Sequence, residues 1–301
     1  MNKEKVMAAF LIALLLLLTI GCAALPRYGE QAAQQPGTVA DDMPPAATAP
    51  TGQMKVHFID VGQGDSIFIQ TPQQNILIDG GERGNTVVDY LTGSNVNSLD
   101  LVISTHPHAD HIGGLINVLQ KISVKEVIDP GVVHTTQTFA DYLTLIDEKD
   151  IKYTEGRAGM QRELGGAQMQ ILHPSDPSSS NLNEASIVVK ITFGQVSLLL
   201  TGDVGQSSLT QMLSSNYHLK STILKVSHHG SHTGISAAFL TAVTPQAAVI
   251  MCGKGNSFGH PHHETLSLLA AGKVDIYRTD LQGTIVITTD GSTFAINNTT
   301  Y

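Results

Sequence analysis

The chain opens on an apolar run, residues 6–20, interrupted only by Thr19, and no run of that length recurs. It follows two lysines, Lys3 and Lys5, and ends at Gly21-Cys22. About 15 apolar residues fall short of the ~20 a membrane span needs and suit the apolar stretch of an export signal. Residues 23–53 show no periodicity and are rich in Ala, Pro, Gln, Thr and Gly, so they read as a flexible tether. From residue 54 to 301 the pattern is that of one continuous domain. Short strand-like runs at 55–60, 66–70 and 75–79 are separated by turn residues. Strand-like runs at 101–104, 124–128, 222–226 and 247–251 then alternate with helix-like stretches at 85–91, 112–120, 139–148, 206–213, 236–242 and 262–271. A hairpin about Gly194-Gln195 joins 187–193 to 196–200, and final strands are expected near Val274, Ile285 and Phe294. A strand-heavy front half and an alternating rear half predict an α/β fold: two mixed sheets covered by helices.

Composition adjusts this picture only slightly. With 42% hydrophobic and 14% charged residues the chain is globular, and without tryptophan its core rests on Leu, Ile, Val and Ala. The formal net charge of −9 makes it a poor nonspecific binder of nucleic acid unless positive charge is concentrated locally. There are two cysteines. The stretch Leu18-Thr19-Ile20-Gly21-Cys22 resembles a bacterial lipobox, with Thr19 where Leu is usual. Cys22 is therefore the expected lipid attachment point, and an ordinary cleaved signal and secretion are the alternative. Cys252 then has no partner, and at the end of the apolar run 247–251 it reads as a small buried filler.

The chemistry is concentrated in Thr105-His106-Pro107-His108-Ala109-Asp110-His111-Ile112-Gly113-Gly114. Four potential ligands leave the buried strand 101–104 within six residues. His106 and His108, two apart, can grip one ion, and Asp110 with His111, at the start of the next helix, can grip a second. Imidazole with carboxylate suits Zn²⁺, with Mn²⁺ possible.

His-x-His-x-Asp-His is the signature of the metallo-β-lactamase superfamily, and the chain resembles that family elsewhere too. Ile76-Leu77-Ile78-Asp79-Gly80-Gly81 is similar to a motif whose Asp orients the metal-site histidines from behind. Leu198-Leu199-Leu200-Thr201-Gly202-Asp203 is similar to one whose Asp bridges two metals. Ser227-His228-His229-Gly230-Ser231 is similar to one whose His completes the second site. The resemblance implies a four-layer αββα fold and two divalent ions held by His106, His108, Asp110, His111, Asp203 and His228 or His229. His228, first after its strand, is the favoured member of that pair. Asp110, Asp203 and His260 are the expected catalytic groups.

A narrower resemblance, to the hydrolase domain of ComEC competence proteins, rests on motifs in one order. These are 57–65, the His-Pro-His-Ala-Asp-His run, Asn183-Glu184-Ala185-Ser186, the Thr-Gly-Asp motif, His-His-Gly-Ser, and Asn256-Ser257-Phe258-Gly259-His260-Pro261. It implies a monomeric phosphodiesterase or nuclease acting on DNA outside the cytoplasm, a hydrolase module tethered to the membrane and associated with a DNA-uptake channel. It also implies substrate contacts at Asn183, Ser186 and Ser231. One departure is the third His that most of the superfamily gives its first metal. Only His134 and His173 stand in that interval, and Asn183 and Ser186 occupy the expected place. This weakens a β-lactamase reading and keeps open a small-ester hydrolase (phosphocholine, cyclic nucleotide or lactone) and a non-catalytic metal-binding lipoprotein. The turn with Asp60, Gln63 and Asp65 reads either as turn chemistry or as the edge of the site. His57 and His218 read as structural, His262 and His263 as solvated helix-start residues, and His232 as a lesser candidate beside His260. Lys220, Lys225, Lys254 and Arg278 are the candidate cations for a DNA track.

Overall fold

The computed structural model describes residues 51–299, so the export segment, Cys22 and nearly all of the tether lie outside the described residues. Strands β1 (Met54–Phe58), β2 (Ile67–Gln70) and β3 (Asn75–Ile78) form an antiparallel meander, Val56 opposite Ile69 and Phe68 opposite Leu77. Helix α1 (Thr86–Gly93) and the two-residue β4 (Ser98–Leu99) lead into β5 (Leu101–Ile103), parallel to β3 with Ile78 opposite Ile103. Helix α2 (Ala109–Lys121), β7 (Glu126–Asp129), α3 (Gln137–Glu148) and β8 (Lys152–Glu155) extend this parallel half, while the short β6 (Ser123–Val124) pairs with β4 in a separate two-stranded ribbon.

The second sheet starts as an antiparallel run of β9 (Gln161–Leu164), β10 (Ala167–His173), β11 (Val188–Phe193) and β12 (Val196–Leu200). It continues in parallel through α4 (Gln206–Leu213), β13 (Ile223–Lys225), α5 (Ala237–Val243), β14 (Ala247–Ile250), α6 (His263–Ala271) and β15 (Asp275–Arg278). The short α7 (Thr279–Gln282) returns the chain to β16 (Thr284–Thr289) and β17 (Phe294–Thr299), and β16 pairs with β1. The strand orders are β17-β16-β1-β2-β3-β5-β7-β8 and β15-β14-β13-β12-β11-β10-β9.

Alternation along the strands builds the layers. Ile76, Ile78, Leu101, Ile103, Leu198, Leu200, Ile223 and Val249 point between the sheets into one core. Leu77, Val102 and Val127 point the other way, against Leu91 of α1, Ile112, Leu115 and Leu119 of α2, and Tyr142 of α3. Leu199, Leu224 and Ala248 face Leu209 of α4, Phe239 and Val243 of α5, and Leu269 of α6. Helices thus cover the outer face of each sheet, as the αββα expectation has it.

The sequence pattern missed β8, β9 and β10. β8 (Lys-Tyr-Thr-Glu) and β9 (Gln-Arg-Glu-Leu) are polar edge strands with little buried surface, so they carry no hydrophobic period. Cys252 is buried, as a filler should be, and its thiol is pushed up to about 12 by burial and then by Asp280. Among the described residues no helix is long and apolar enough to cross a membrane.

Candidate metal centre

The loops after β3, β5, β12, β13 and β14 meet at one edge of the two sheets, where the carboxyl ends of parallel strands leave room for a ligand. Asp79 follows β3 in the left-handed region (φ 57°), a conformation costly for a non-glycine residue. Its buried carboxylate accepts from the Thr105 N–H (2.7 Å), the Thr105 hydroxyl (2.6 Å) and Nδ1 of His111 (2.8 Å). Thr105 Oγ1 in turn lies 3.1 Å from His106 Nδ1. One carboxylate therefore fixes the Nδ1 side of two rings and turns each Nε2 toward the cavity, the role expected of Asp79. Burial raises its pKa, with His111 opposing.

Helix α2 brings in the next ligands. His108 is its N-cap, without the usual side-chain cap bond; its Nδ1 instead lies 3.0 Å from His106 Nε2. Asp110, in the first turn, benefits from the helix dipole. The trailing glycines have a steric cause: a Cβ on Gly114 would lie 1.9 Å from the Gly80 carbonyl oxygen, and one on Gly113 2.5 Å from the Arg83 nitrogen. Gly64 likewise lets the β1–β2 turn lie against Asp110, whose carbonyl accepts from Asp65 N–H at 3.2 Å.

Asp203, at the end of the β12 loop, sets its Oδ2 3.2 Å from both His111 Nε2 and His229 Nε2, and His229 Nε2 lies 3.2 Å from Asp110 Oδ2. Asp110, His111, Asp203 and His229 each offer a ligand atom within 4.8 Å of the others. Of the two neighbouring histidines it is His229, not the favoured His228, that reaches the cluster. His228, His229 and Gly230 all adopt positive φ (50°, 54° and 84°), a strained turn that swings the second ring inward. His229 Nδ1 donates to the Met251 carbonyl at 3.0 Å, leaving Nε2 for the cavity. His228 Nε2 lies 3.5 Å from Asn183 Nδ2, and its ring packs edge-on to His260 at 5.5 Å.

These residues fit divalent ions. His111 Nε2 and Asp203 Oδ1 are buried without a hydrogen bond, and the donor set mixes imidazole with carboxylate. Without metal, burial presses the two central imidazoles toward neutrality, but surrounding carboxylates, Asp203 foremost, outweigh it and hold His111 and His229 well above the usual range. Burial would raise Asp110 and Asp203, but the same two rings hold both low. His106 and His108 are pushed down by burial, which outweighs the pull of Asp110 and Asp203.

Other expected site residues are placed differently. Ser186 is fully buried and its hydroxyl accepts from Asp203 N–H (3.2 Å), so it braces the Asp203 loop rather than meeting substrate. Ser231 is buried too and caps the turn at Thr233. Asn183 does border the site, with its Oδ1 buried and unpartnered. His173 lies 2.9 Å from the Ser186 carbonyl through Nδ1 and stands in the field of Glu184, away from the cluster. His134 sits by the Pro107 carbonyl. His260 stacks beside the site, its pKa lowered to about 4 by burial and then by His229 and His228. His57 contacts Tyr90 and Phe68, as a structural residue would, and half-buried His262 pairs with exposed His232.

Of two further residues at the site, one differs from its expected place and one settles an open choice. Lys225, expected as a surface cation, is 0% exposed: its ammonium pairs with Asp65, donates to the Gly202 carbonyl (3.0 Å) and lies 3.7 Å from Asp203 Oδ1. Burial opposes its charge, but Asp65 outweighs burial and holds it above the usual range. Asp65, whose turn reads in sequence either as turn chemistry or as the edge of the site, is that partner and lies 3.4 Å from His229 Nδ1, which places it at the site's edge. The available signal was Lys225 itself, a charge inside the apolar strand Ile223-Leu224-Lys225-Val226. Arg278 is tied to Asp280 by two contacts (3.0 and 2.6 Å), while Lys220 and Lys254 remain exposed.

A fold of two helix-covered sheets with this histidine-aspartate centre at their edge defines a class, and the metallo-beta-lactamase superfamily pattern matches residues 59–254: the chain belongs to that family. Within it, the chain is similar to ComEC-type competence proteins. It is 30% identical over 251 residues to ComE operon protein 3 of Bacillus subtilis (strain 168), covering 77% of this chain and 32% of that one. It is 29% identical over 245 residues to competence protein ComA of Neisseria gonorrhoeae, covering 78% of this chain and 32% of that one. The chain thus spans about a third of the length of these relatives. Among solved structures, Igni18, a metallo hydrolase from Ignicoccus hospitalis, superposes with a TM-score of 0.52 at 18% identity, covering 78% of this chain and 98% of that one, and so supports the fold.

Proposed function

We propose that the protein is a two-metal phosphodiesterase that cleaves nucleic acid, DNA foremost, outside the cytoplasm. The observation that carries this is the asymmetry of the centre. Asp110, His111, Asp203 and His229 converge on one position, whereas His106 and His108 stand outside that group, with His173 turned to the Ser186 carbonyl and the His134 ring 6.1 Å from that of His108. That leaves room for a phosphate oxygen on the His106–His108 side. The resemblance of the motifs to ComEC competence proteins supports the same class of substrate. Divalent ions, Zn²⁺ or Mn²⁺, would be held by His106, His108, Asp110, His111, Asp203 and His229. Bound there, they would supply Lewis acidity and activate water. Asp79 keeps the imidazoles in the Nδ1–H form, and Ser186 holds the Asp203 loop. His260, neutral near pH 7 and beside His228, is positioned to contact the leaving oxygen. The test is hydrolysis of single- and double-stranded DNA and of bis(4-nitrophenyl) phosphate by chelator-stripped protein reloaded with either ion. Asp110→Ala and Asp203→Ala should lose both activity and metal content. Turnover of a lactone or thioester with no phosphodiester cleaved would overturn the reading.

A second reading, hydrolysis of a small ester, is favoured by charge. With Lys225 buried and Arg278 paired, two of the four cations expected to line a DNA track are unavailable. Cys22 is proposed as the lipid anchor that keeps a monomeric enzyme at the membrane near an uptake channel. Mass spectrometry of the mature N-terminus should find lipidated Cys22, and a chain starting elsewhere rules the anchor out.

A further inference from the structure

We propose that Phe258 is a stacking platform for an unpaired nucleobase of the substrate, a subsite that rests on the phosphodiesterase reading and narrows it to single strands. Phe258 is 62% exposed, one of few large hydrophobic side chains left in water among the described residues. Its ring lies nearly parallel to that of His260 (centroids 5.6 Å apart, planes 20°), and His260 in turn lies 6.1 Å from the ring of His229. A file of rings therefore runs outward from the metal centre and ends in a solvent-facing aromatic.

The loop carrying it is stapled by one side chain. The Asn256 side chain donates to the carbonyls of Gly253 (2.9 Å) and His260 (2.6 Å) and accepts from the N–H groups of Phe258 (3.1 Å) and His260 (3.0 Å). An exposed aromatic held on such a staple adds little to folding, but it offers a preformed apolar face and loses little entropy on binding. On the same loop exposed Lys254 lines a cleft of about 590 Å³ with Gln63, Leu281 and the acidic Asp60 and Asp280, so the cleft offers one cation against two carboxylates and the base face of Phe258 has to supply the attraction.

A base stacks on an aromatic ring whatever its identity, so the platform tolerates any sequence. In a duplex the base faces are covered by their neighbours, so a paired strand cannot use it. With few free cations nearby, stacking replaces part of the electrostatic attraction that most nucleases draw on.

The test uses the full metal-loaded chain in detergent with two substrates sharing a leaving group: thymidine 5′-(4-nitrophenyl phosphate) and methyl 4-nitrophenyl phosphate. The nucleoside substrate should have the higher kcat/KM, and Phe258→Ala should lower the ratio of the two about tenfold, the equivalent of about 1.4 kcal/mol. A readout independent of turnover comes from the absence of tryptophan in the chain. The Phe258→Trp variant has a single indole, whose emission should be quenched by oligo(dT) and not by a blunt duplex. An unchanged ratio, equal losses on both substrates, or equal quenching by single strand and duplex would overturn the platform. Quenching by oligo(dT) without hydrolysis of either substrate would sustain the platform and overturn the phosphodiesterase reading. Hydrolysis of both substrates without quenching would do the reverse.

Discussion

Lys225 is the residue with most at stake per atom. Its ammonium is wholly buried between Asp65 and Asp203, and it offsets carboxylate charge on the side of Asp203 away from the histidines. A buried pair is worth little against an apolar replacement of both partners, but removing one partner strands the other charge. Lys225→Met should therefore destabilise the metal-loaded protein by about 3–5 kcal/mol in urea titrations. Lys225→Met combined with Asp65→Leu should recover much of the loss. A double variant showing the sum of the two single losses would mean the residues act independently. His229 teaches a related lesson: two adjacent histidines differ in function because a run of left-handed backbone turns only one of them to the carboxylates.

At the scale of elements, α2 is the part that must be placed accurately. Ile112, Leu115, Ile116 and Leu119 fasten it to the outer face of the first sheet, each contributing roughly 1.5–3 kcal/mol by burial. Its N-terminus carries Asp110 and His111 into the cavity, and glycine contacts set how close it can come. Gly114→Ala would force a methyl group to 1.9 Å from a carbonyl oxygen, so α2 must move. The expected result is a stability loss above about 2 kcal/mol together with loss of metal, measured by calorimetry and elemental analysis. Gly93→Ala, at the end of α1 with nothing within 4 Å of the added Cβ, should instead be neutral or stabilising by up to about 1 kcal/mol. Similar behaviour of the two variants would contradict the close approach of α2 to the β3 turn.

For the molecule as a whole, the centre couples protons, metal and stability. In metal-free protein, protonated His111 and His229 hold Asp110 and Asp203 together. Their pKa values are raised on folding, so their stabilisation is complete below the ordinary histidine value of about 6.5 and is lost as pH climbs through the raised values. The carboxylates are lowered, so their contribution is present above about 3.9 and is lost as pH falls through the lowered values. Metal-free Tm should therefore fall from about pH 6.5 upward by more than that of metal-loaded protein, in which ions replace the two protons. Parallel Tm curves for the two forms across about pH 6–9 would show that the histidines do not titrate this way.

The sequence by itself determined the layers, the metal-ligating run and the family. The continuous apolar runs of β3, β5 and β12 are local properties, and His106 to His111 are neighbours along the chain. The polar edge strands β8 and β9 were invisible because strands with little buried surface need no pattern. Only the tertiary structure decided which of His228 and His229 faces the carboxylates, that Ser186 braces Asp203, and that Lys225 lies under the centre rather than on the surface. Each of these depends on how the loops after β1, β12 and β13 meet across two sheets. A side chain's charge state and direction there are fixed by groups more than a hundred residues away, as Asp65 and Asp110 are from Lys225 and His229.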